Sequence, residues 1–334
     1  MQNKQMPPGD SIIEIDKLKV YFPVLKGIFG TVVGHVKAVD GVSFRVRRGE
    51  VFAIVGESGC GKTTIAHALM GLVKKTEGSM KLAIGPFKEN GIDWDTSNKK
   101  DCALLRRSIQ MIFQDPFSSL NPRMTVRTLI EEPLIIHRLG NAKKRHERIV
   151  ELLDNVGLSK DFINRYPHEF SGGQRQRIGI ARALAVSPEI VIADEPVSAL
   201  DVSIRAQIIN LLQDLRQRFN QTLVIISHDL AVVRHMANSI AVMYQGRIME
   251  MGTEAQIFSS PSHPYTKTLL SSIPVVGKGR KQKLAPLADE KPVTEGKAGC
   301  PFFPRCDRGN AECLGPDIQL TDIGENHLVA CMHL

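Results

Sequence analysis

Three stretches of this chain set phosphate-binding or proton-handling groups directly after short apolar runs. Gly56-Glu57-Ser58-Gly59-Cys60-Gly61-Lys62-Thr63 fits the pattern G-x-x-x-x-G-K-[ST]. Its glycines let successive backbone N–H groups turn toward phosphate oxygens, Lys62 can reach the β- and γ-phosphates, and the Thr63 hydroxyl can serve Mg²⁺. Asp194-Glu195 closes the run Ile190–Ala193: Asp194 suits the Mg²⁺ shell and Glu195 suits polarising an attacking water. His228 follows Leu223–Ile226 and so can touch a γ-phosphate from a third strand end. Alone, His228 would be an ordinary strand-end histidine; its place after the acidic pair gives it the functional reading. The chemistry these groups could share is attack of water on a nucleotide phosphate.

Such groups need a rigid frame. Val51–Val55 reads as a buried parallel strand and residues 64–72 as a helix, so the glycine loop lies at a helix N-terminus carrying roughly half a positive charge. Carboxylates at the C-terminal ends of neighbouring parallel strands gather at the same crevice. Between Gln114 and Ser171 the pattern turns helical: Ile149, Leu152, Leu153 and Val156 recur at i, i+3, i+4 and i+7, with Gly157 as the stop. Residues 229–237 read as helix, and Ile240–Tyr244 pairs with Arg247–Met249 across Gln245-Gly246. Ser171-Gly172-Gly173-Gln174 opens another helix with N–H groups and a hydroxyl that suit an anion, although taken without its neighbours a plain helix cap is the better reading.

Taken in order, the phosphate loop, Gln114 in Ile112-Phe113-Gln114-Asp115-Pro116, Ser171 to Gln174, Asp194-Glu195, Ser198-Ala199-Leu200-Asp201 and His228 resemble the ATP-binding subunits of ATP-binding-cassette (ABC) transporters over nearly the whole length. The resemblance implies an α/β P-loop nucleotide-binding domain over 10–271: a RecA-like core, an N-terminal antiparallel β subdomain, and an inserted helical subdomain at about 115–185. It implies that ATP and Mg²⁺ are held by Gly56, Ser58, Gly59, Cys60, Gly61, Lys62, Thr63, Thr64, Gln114 and Asp194, with Glu195, His228 and Gln114 catalytic. Phe22 aligns with the aromatic that stacks on adenine, although Tyr21 takes that place if the strand is shifted, and plain strand packing accounts for either ring equally well. Ser171, Gly172, Gly173, Gln174 and Asp201 would face the nucleotide bound by a second, homologous ATPase subunit, and the Gln114 loop and inserted helices would meet the membrane subunits.

Composition sets outer limits. The chain has 334 residues, 43% hydrophobic, enough for one large core with appendages. No apolar run approaches the roughly eighteen residues that span a bilayer, and Met1–Asp10 lacks the apolar segment of a secretory signal. The expected place is the cytoplasmic side of a bacterial inner membrane, with attachment through partners. A net charge of +8 suits anionic headgroups or nucleic acid, but the cations are dispersed and aromatics are only 5%, so no base-stacking platform is visible and no nucleic-acid partner is expected.

After a Pro-, Gly- and Lys-rich stretch at 272–299 that reads as a linker, four of the six cysteines crowd into 300–334: Cys300, Cys306, Cys313 and Cys331. In a reducing compartment four clustered thiols point to metal, Zn²⁺ or an iron–sulfur cluster, with unliganded buried cysteines as the plainer alternative. Cys60 and Cys102 stand apart from that set. The spacing lacks close C-x-x-C pairs and resembles the C-terminal motif of oligopeptide and dipeptide importer ATPases, which implies a [4Fe-4S] cluster, with Zn²⁺ the alternative. Ser262-His263-Pro264-Tyr265-Thr266, Arg165 to Phe170 and Asn121-Pro122-Arg123 carry the same resemblance to the peptide-and-nickel importer group, and within it to the second ATPase subunit of oligopeptide importers. It implies two membrane-spanning permease subunits, a sister ATPase chain and, indirectly, a peptide-binding protein. Nickel or another small solute, or a soluble ATPase without transport, stay open as alternatives.

Overall fold

Five short apolar runs become parallel strands because each is buried on both faces and has no polar side to show to water. They are β3 (Val51–Val55), β5 (Ile109–Ile112), β6 (Ile190–Asp194), β7 (Thr222–Ser227) and β8 (Ser239–Tyr244), framed N-terminally by β1 (Ser11–Lys26), β2 (Thr31–Arg47) and β4 (Glu77–Leu82). C-terminally follow β9 (Arg247–Thr253), β10 (Thr321–Asp322) and β11 (Leu328–Val329). The structure, a computed structural model, describes residues 11–27, 31–271, 299–315 and 318–334; Met1–Asp10 and nearly all of the stretch read as a linker lie outside the described residues. One sheet is antiparallel, in the order β2-β1-β4; the other has eight strands in the order β10-β11-β9-β8-β3-β7-β6-β5.

Side chains alternate across the large sheet and so feed separate cores. Phe52, Ile54, Ile192, Val224 and Ile226 pack with Ile13, Leu18 and Phe44 of the antiparallel sheet and with Ile65 and Leu69 of helix α1 (Lys62–Leu69). Val51, Val191, Leu223 and Ile225 face the opposite way, toward the helices that fill the chain between β5 and β6. After α2 (Lys99–Ser108), those helices are α3 (Val126–Ile136), α4 (Ala142–Asn155) and α5 (Gly172–Leu184). The spacing read in the sequence is the buried stripe of α4: Ile149, Leu152 and Leu153 are fully covered, and Gly157 turns the chain with φ +69°. Helix α6 (Val202–Phe219) crosses α5 so closely that a Cβ on Gly173 would stand 2.5 Å from the Ile204 side chain.

A third core lies under the C-terminal part. Helices α7 (Leu230–Met236), α8 (Glu254–Ser259) and α9 (Pro264–Ser271) cover Ala53, Val55, Ile240 and Val242, and the aromatic side chains of Tyr244, Tyr265 and Phe302 complete the cluster. The final residues join the same sheet: β11 pairs antiparallel with β9, Leu328 opposite Met251 and Val329 opposite Glu250. Among the described residues no helix is long and apolar enough to cross a membrane.

Candidate functional site: a phosphate loop and three strand ends

The phosphate loop runs from the end of β3 into the N-terminus of α1, where only glycine fits. Gly61 has φ +106°, and a Cβ there would stand 2.0 Å from the Ala38 carbonyl oxygen. A side chain at that point would push the loop away from β2. Lys62 is folded over its own loop, its ammonium donating to the carbonyl oxygens of Gly56 at 2.8 Å and Glu57 at 2.7 Å. Those bonds keep a buried cation satisfied and leave it close to the space the loop encircles. Cys60 Sγ lies 3.6 Å from the same ammonium, and burial raises the thiol's pKa although Lys62 opposes the rise.

The acidic pair stands across the cleft. Asp194, at the end of β6, is almost fully buried and receives the Thr63 hydroxyl at 3.4 Å. Burial raises its pKa, the Thr63 hydrogen bond opposes that rise, and the neighbouring Glu195 charge adds to it. A carboxylate and a hydroxyl meeting at the foot of a phosphate loop are the oxygen ligands Mg²⁺ takes beside phosphates.

Glu195 is the hub. One carboxylate oxygen accepts from the Gln114 side-chain amide at 2.9 Å, and the other lies 2.8 Å from His228 Nδ1. The backbone at Glu195 is left-handed, φ +45°, and is pinned by its N–H donating to the Ile226 carbonyl at 2.8 Å. A non-glycine residue held there costs on the order of 1 kcal/mol or more, and the neighbouring strand supplies the restraint. Three loops far apart in sequence thus converge on one carboxylate. The cleft they share, about 840 Å³, is walled by the phosphate loop on one side and by Val36 to Ala38 on another.

The remaining residues singled out in the sequence fall into two groups. Phe22 is 40% exposed on β1, opposite Val36 of the cleft wall. Tyr21 is tied down, its hydroxyl donating to the Asp40 carboxylate with Lys37 over its ring, whereas Phe22 makes no ring or cation contact among the described residues. Ser171 caps α5 and closes a reciprocal box with Gln174, its hydroxyl accepting from the Gln174 N–H at 3.4 Å and the Gln174 side chain accepting from the Ser171 N–H at 3.1 Å. Neither they nor the exposed Asp201, at the start of α6, line the cleft around this chain's own phosphate loop.

The four C-terminal thiols are brought together. Cys300, Cys306, Cys313 and Cys331 line one small cavity of about 10 Å³ beside His263 and His333, and Cys313 Sγ lies 3.4 Å from His333 Nε2. Burial pushes the Cys300 thiol up to about 11 and raises Cys306 as well. The donor chemistry fits a thiolate-bound metal. As placed, however, no group of three or more His, Cys, Asp or Glu side chains among the described residues stands as a metal-ligand set. Cys102 is apart, on α2, with its Sγ 3.8 Å from the Ser97 carbonyl oxygen.

Sequence reading missed the residues that tie this segment to the phosphate loop. Arg305 makes a two-pronged bond to Glu57, at 2.9 and 3.0 Å, and the Tyr265 hydroxyl accepts from the Glu57 backbone N–H at 3.0 Å. Partners 248 and 208 positions apart leave no local signal.

The fold and the cleft define a P-loop ATPase of the ABC type. The profile of the ABC transporter family matches residues 39–198, and that of the oligopeptide/dipeptide transporter C-terminal region matches residues 249–313. The oligopeptide transport ATP-binding protein AppF of Bacillus subtilis is 46% identical over 325 residues, covering 96% of this chain and 97% of that one. The dipeptide transport ATP-binding protein DppF of Escherichia coli is 44% identical, covering 99% and 97%. A dimeric ATP-binding cassette in a post-hydrolysis state, bound to ADP and phosphate, superposes with a TM-score of 0.62 at 28% identity, over 72% of this chain and 98% of that one. The chain belongs to the ABC transporter family, among the ATP-binding proteins that carry the oligopeptide/dipeptide transporter C-terminal region.

Proposed function

We infer that the chain is the ATP-hydrolysing subunit of an importer that moves oligopeptides or dipeptides across the bacterial inner membrane. The peptide transport named for its relatives supports that cargo, and the observation that carries the catalytic part is the convergence of Gln114 and His228 on the Glu195 carboxylate. In this reading Glu195 orients and polarises the attacking water, Gln114 holds that water from the other side, and His228 steadies charge on the γ-phosphate. Lys62 leaves its carbonyl partners for the phosphates, Thr63 and Asp194 serve Mg²⁺, and Phe22 stacks on the base.

Ser171 to Gln174 and Asp201 lie outside the lining of the chain's own cleft, which supports a sandwich in which a homologous ATPase subunit supplies the opposite wall. Exposed Phe113 and Phe117 flank Gln114 and support contact there with membrane-spanning permease subunits, the peptide-binding protein acting through them. The chain would then be peripheral, held at the cytoplasmic face by partners. In the same reading Cys300, Cys306, Cys313 and Cys331 hold a [4Fe-4S] cluster, or Zn²⁺ in its place, which would fasten the C-terminal segment.

Glu195→Gln tests the central role. It keeps Mg²⁺ and phosphate contacts, so ATP binding should persist while turnover in the reconstituted complex drops by roughly a hundred- to a thousandfold. Hydrolysis at the unsubstituted rate would remove Glu195 from that role.

A further inference from the structure

The tie between the cysteine-rich segment and the phosphate loop has more to it than packing. Glu57 is the only acidic residue of a loop that must accept a polyanion. An unpaired carboxylate there would repel the incoming phosphates. Arg305 meets it as a fork, its two terminal guanidinium nitrogens donating to one carboxylate oxygen each, with the Arg305 side chain 16% exposed and that of Glu57 42% exposed.

The guanidinium is itself held in place before any ligand arrives. It donates to the Tyr244 hydroxyl at 3.3 Å and lies over the rings of Tyr244 and Phe302, 5.7 Å from each centroid. Phe302 is fully buried against Tyr244 and Tyr265, so Arg305 projects from an anchored turn between Cys300 and Cys306. Tyr265 in turn grips the Glu57 backbone N–H. Loop position two is therefore restrained at backbone and side chain by residues outside the nucleotide-binding motifs.

We propose that Arg305 is a positioning residue for nucleotide binding: it neutralises Glu57 and draws its carboxylate aside, so that the cysteine-rich segment sets the phosphate loop's affinity for ATP. This rests on the reading of the loop as an ATP site and adds its regulation. Because such coupling is reciprocal, anything that displaces the turn from 300 to 306 lowers ATP affinity, and bound ATP holds the turn in place. A purely structural role is the competing explanation. The two differ in what they move: one partly exposed ion pair adds too little to folding to shift a large domain's melting temperature far, whereas a bare carboxylate acts on every phosphate bound.

The test uses the full chain and a fluorescent, slowly hydrolysed ATP analogue with Mg²⁺. Arg305→Ala should raise the Kd roughly five- to tenfold with the melting temperature nearly unchanged, the defect shrinking as salt screens the carboxylate. Arg305→Lys, which keeps the charge without the fork, should fall between. In a Glu57→Gln background, where no charge needs neutralising, Arg305→Ala should change the Kd by less than about twofold. A wild-type Kd in Arg305→Ala, or an equal loss in the Glu57→Gln background, would overturn the proposal. If the unsubstituted chain binds no ATP analogue, the ATP-site reading fails instead.

Discussion

The nucleotide cleft and the cysteine-rich segment are built on opposite plans. In the cleft each working residue ends or follows a buried parallel strand: Asp194 and Glu195 on β6, His228 on β7, the phosphate loop on β3. Backbone ladders between β3, β7 and β6 fix their relative positions, so the side chains need few bonds of their own. Among its described residues the segment after 299 has two strands of only two residues each, β10 and β11, and otherwise single turns. Beyond the short β11–β9 pairing it is held by side chains: Phe302 in an aromatic nest, Arg305 on Glu57, and His327 on buried Glu250 at 2.7 Å. Glu250 also accepts from the backbone N–H groups of Ser262 and His263, joining β9, the approach to α9 and the last turn of the chain. A motif embedded in a sheet is robust to loss of one contact, whereas a segment fastened by side chains depends on each.

Phe302→Ala strikes that contrast hardest. Removing a fully buried aromatic should cost about 3–5 kcal/mol locally, detaching the segment while β3, β6 and β7 stay paired. Hydrogen exchange would read it as fast exchange at β11 with protection retained in the five parallel strands. Equal loss of protection in both regions would erase the distinction.

Acid should act in the same direction through His263. Burial lowers its pKa from 6.5 to about 4, and its Nδ1 accepts from the Tyr265 N–H at 3.0 Å, a bond the ring can make only while that nitrogen is unprotonated. The unfolded chain takes up this proton near pH 6.5 and the folded chain only near 4, so the folded state loses stability as pH falls through that window, by about 3 kcal/mol at most. Urea unfolding of the unsubstituted chain and His263→Gln between pH 7 and 4 compares the slopes, and parallel slopes would discard His263 as the cause.

The smallest effect is expected from Cys306→Ser, which trades sulfur for oxygen in a covered position. If the four cysteines hold a metal, Cys306→Ser purified anaerobically should carry much less iron or zinc than the unsubstituted protein, while melting within a few degrees of it and binding ATP within a few-fold. An unsubstituted chain that carries neither metal would end the cluster reading and leave four free thiols, those of Cys306 and Cys313 buried.

Most of the cleft could be read from the chain because its parts are contiguous. A phosphate loop needs glycines and a lysine at fixed offsets, and carboxylates at the ends of apolar runs announce where strands stop, so Lys62, Thr63, Asp194, Glu195 and His228 were each recognisable and the structure brings them to one cleft. The helix expected at residues 64–72 runs instead over Lys62–Leu69: the left-handed Gly61 ends the loop, and its carbonyl accepts the first helical bond from the Ile65 N–H at 3.2 Å. The choice between Tyr21 and Phe22 was open in the sequence, since both lie on one strand. Only folding, by bringing Asp40 of β2 to the Tyr21 hydroxyl, left Phe22 with a free ring.

The amino-acid order by itself marked the strands that end at the phosphate loop, at Asp194 and at His228, the buried stripe of α4 and the residues that bear chemistry, because burial on both faces, helical spacing and a glycine-rich turn are all local demands. It did not say that the last residues extend the catalytic sheet, that Glu250 gathers three separate segments, or that a guanidinium beside Cys306 rests on the phosphate loop. Those pairings join residues that no local rule relates. They exist because packing Phe302 beneath Tyr244 and Tyr265 sets the approach of one surface to another, and that distance is a property of the assembled core alone.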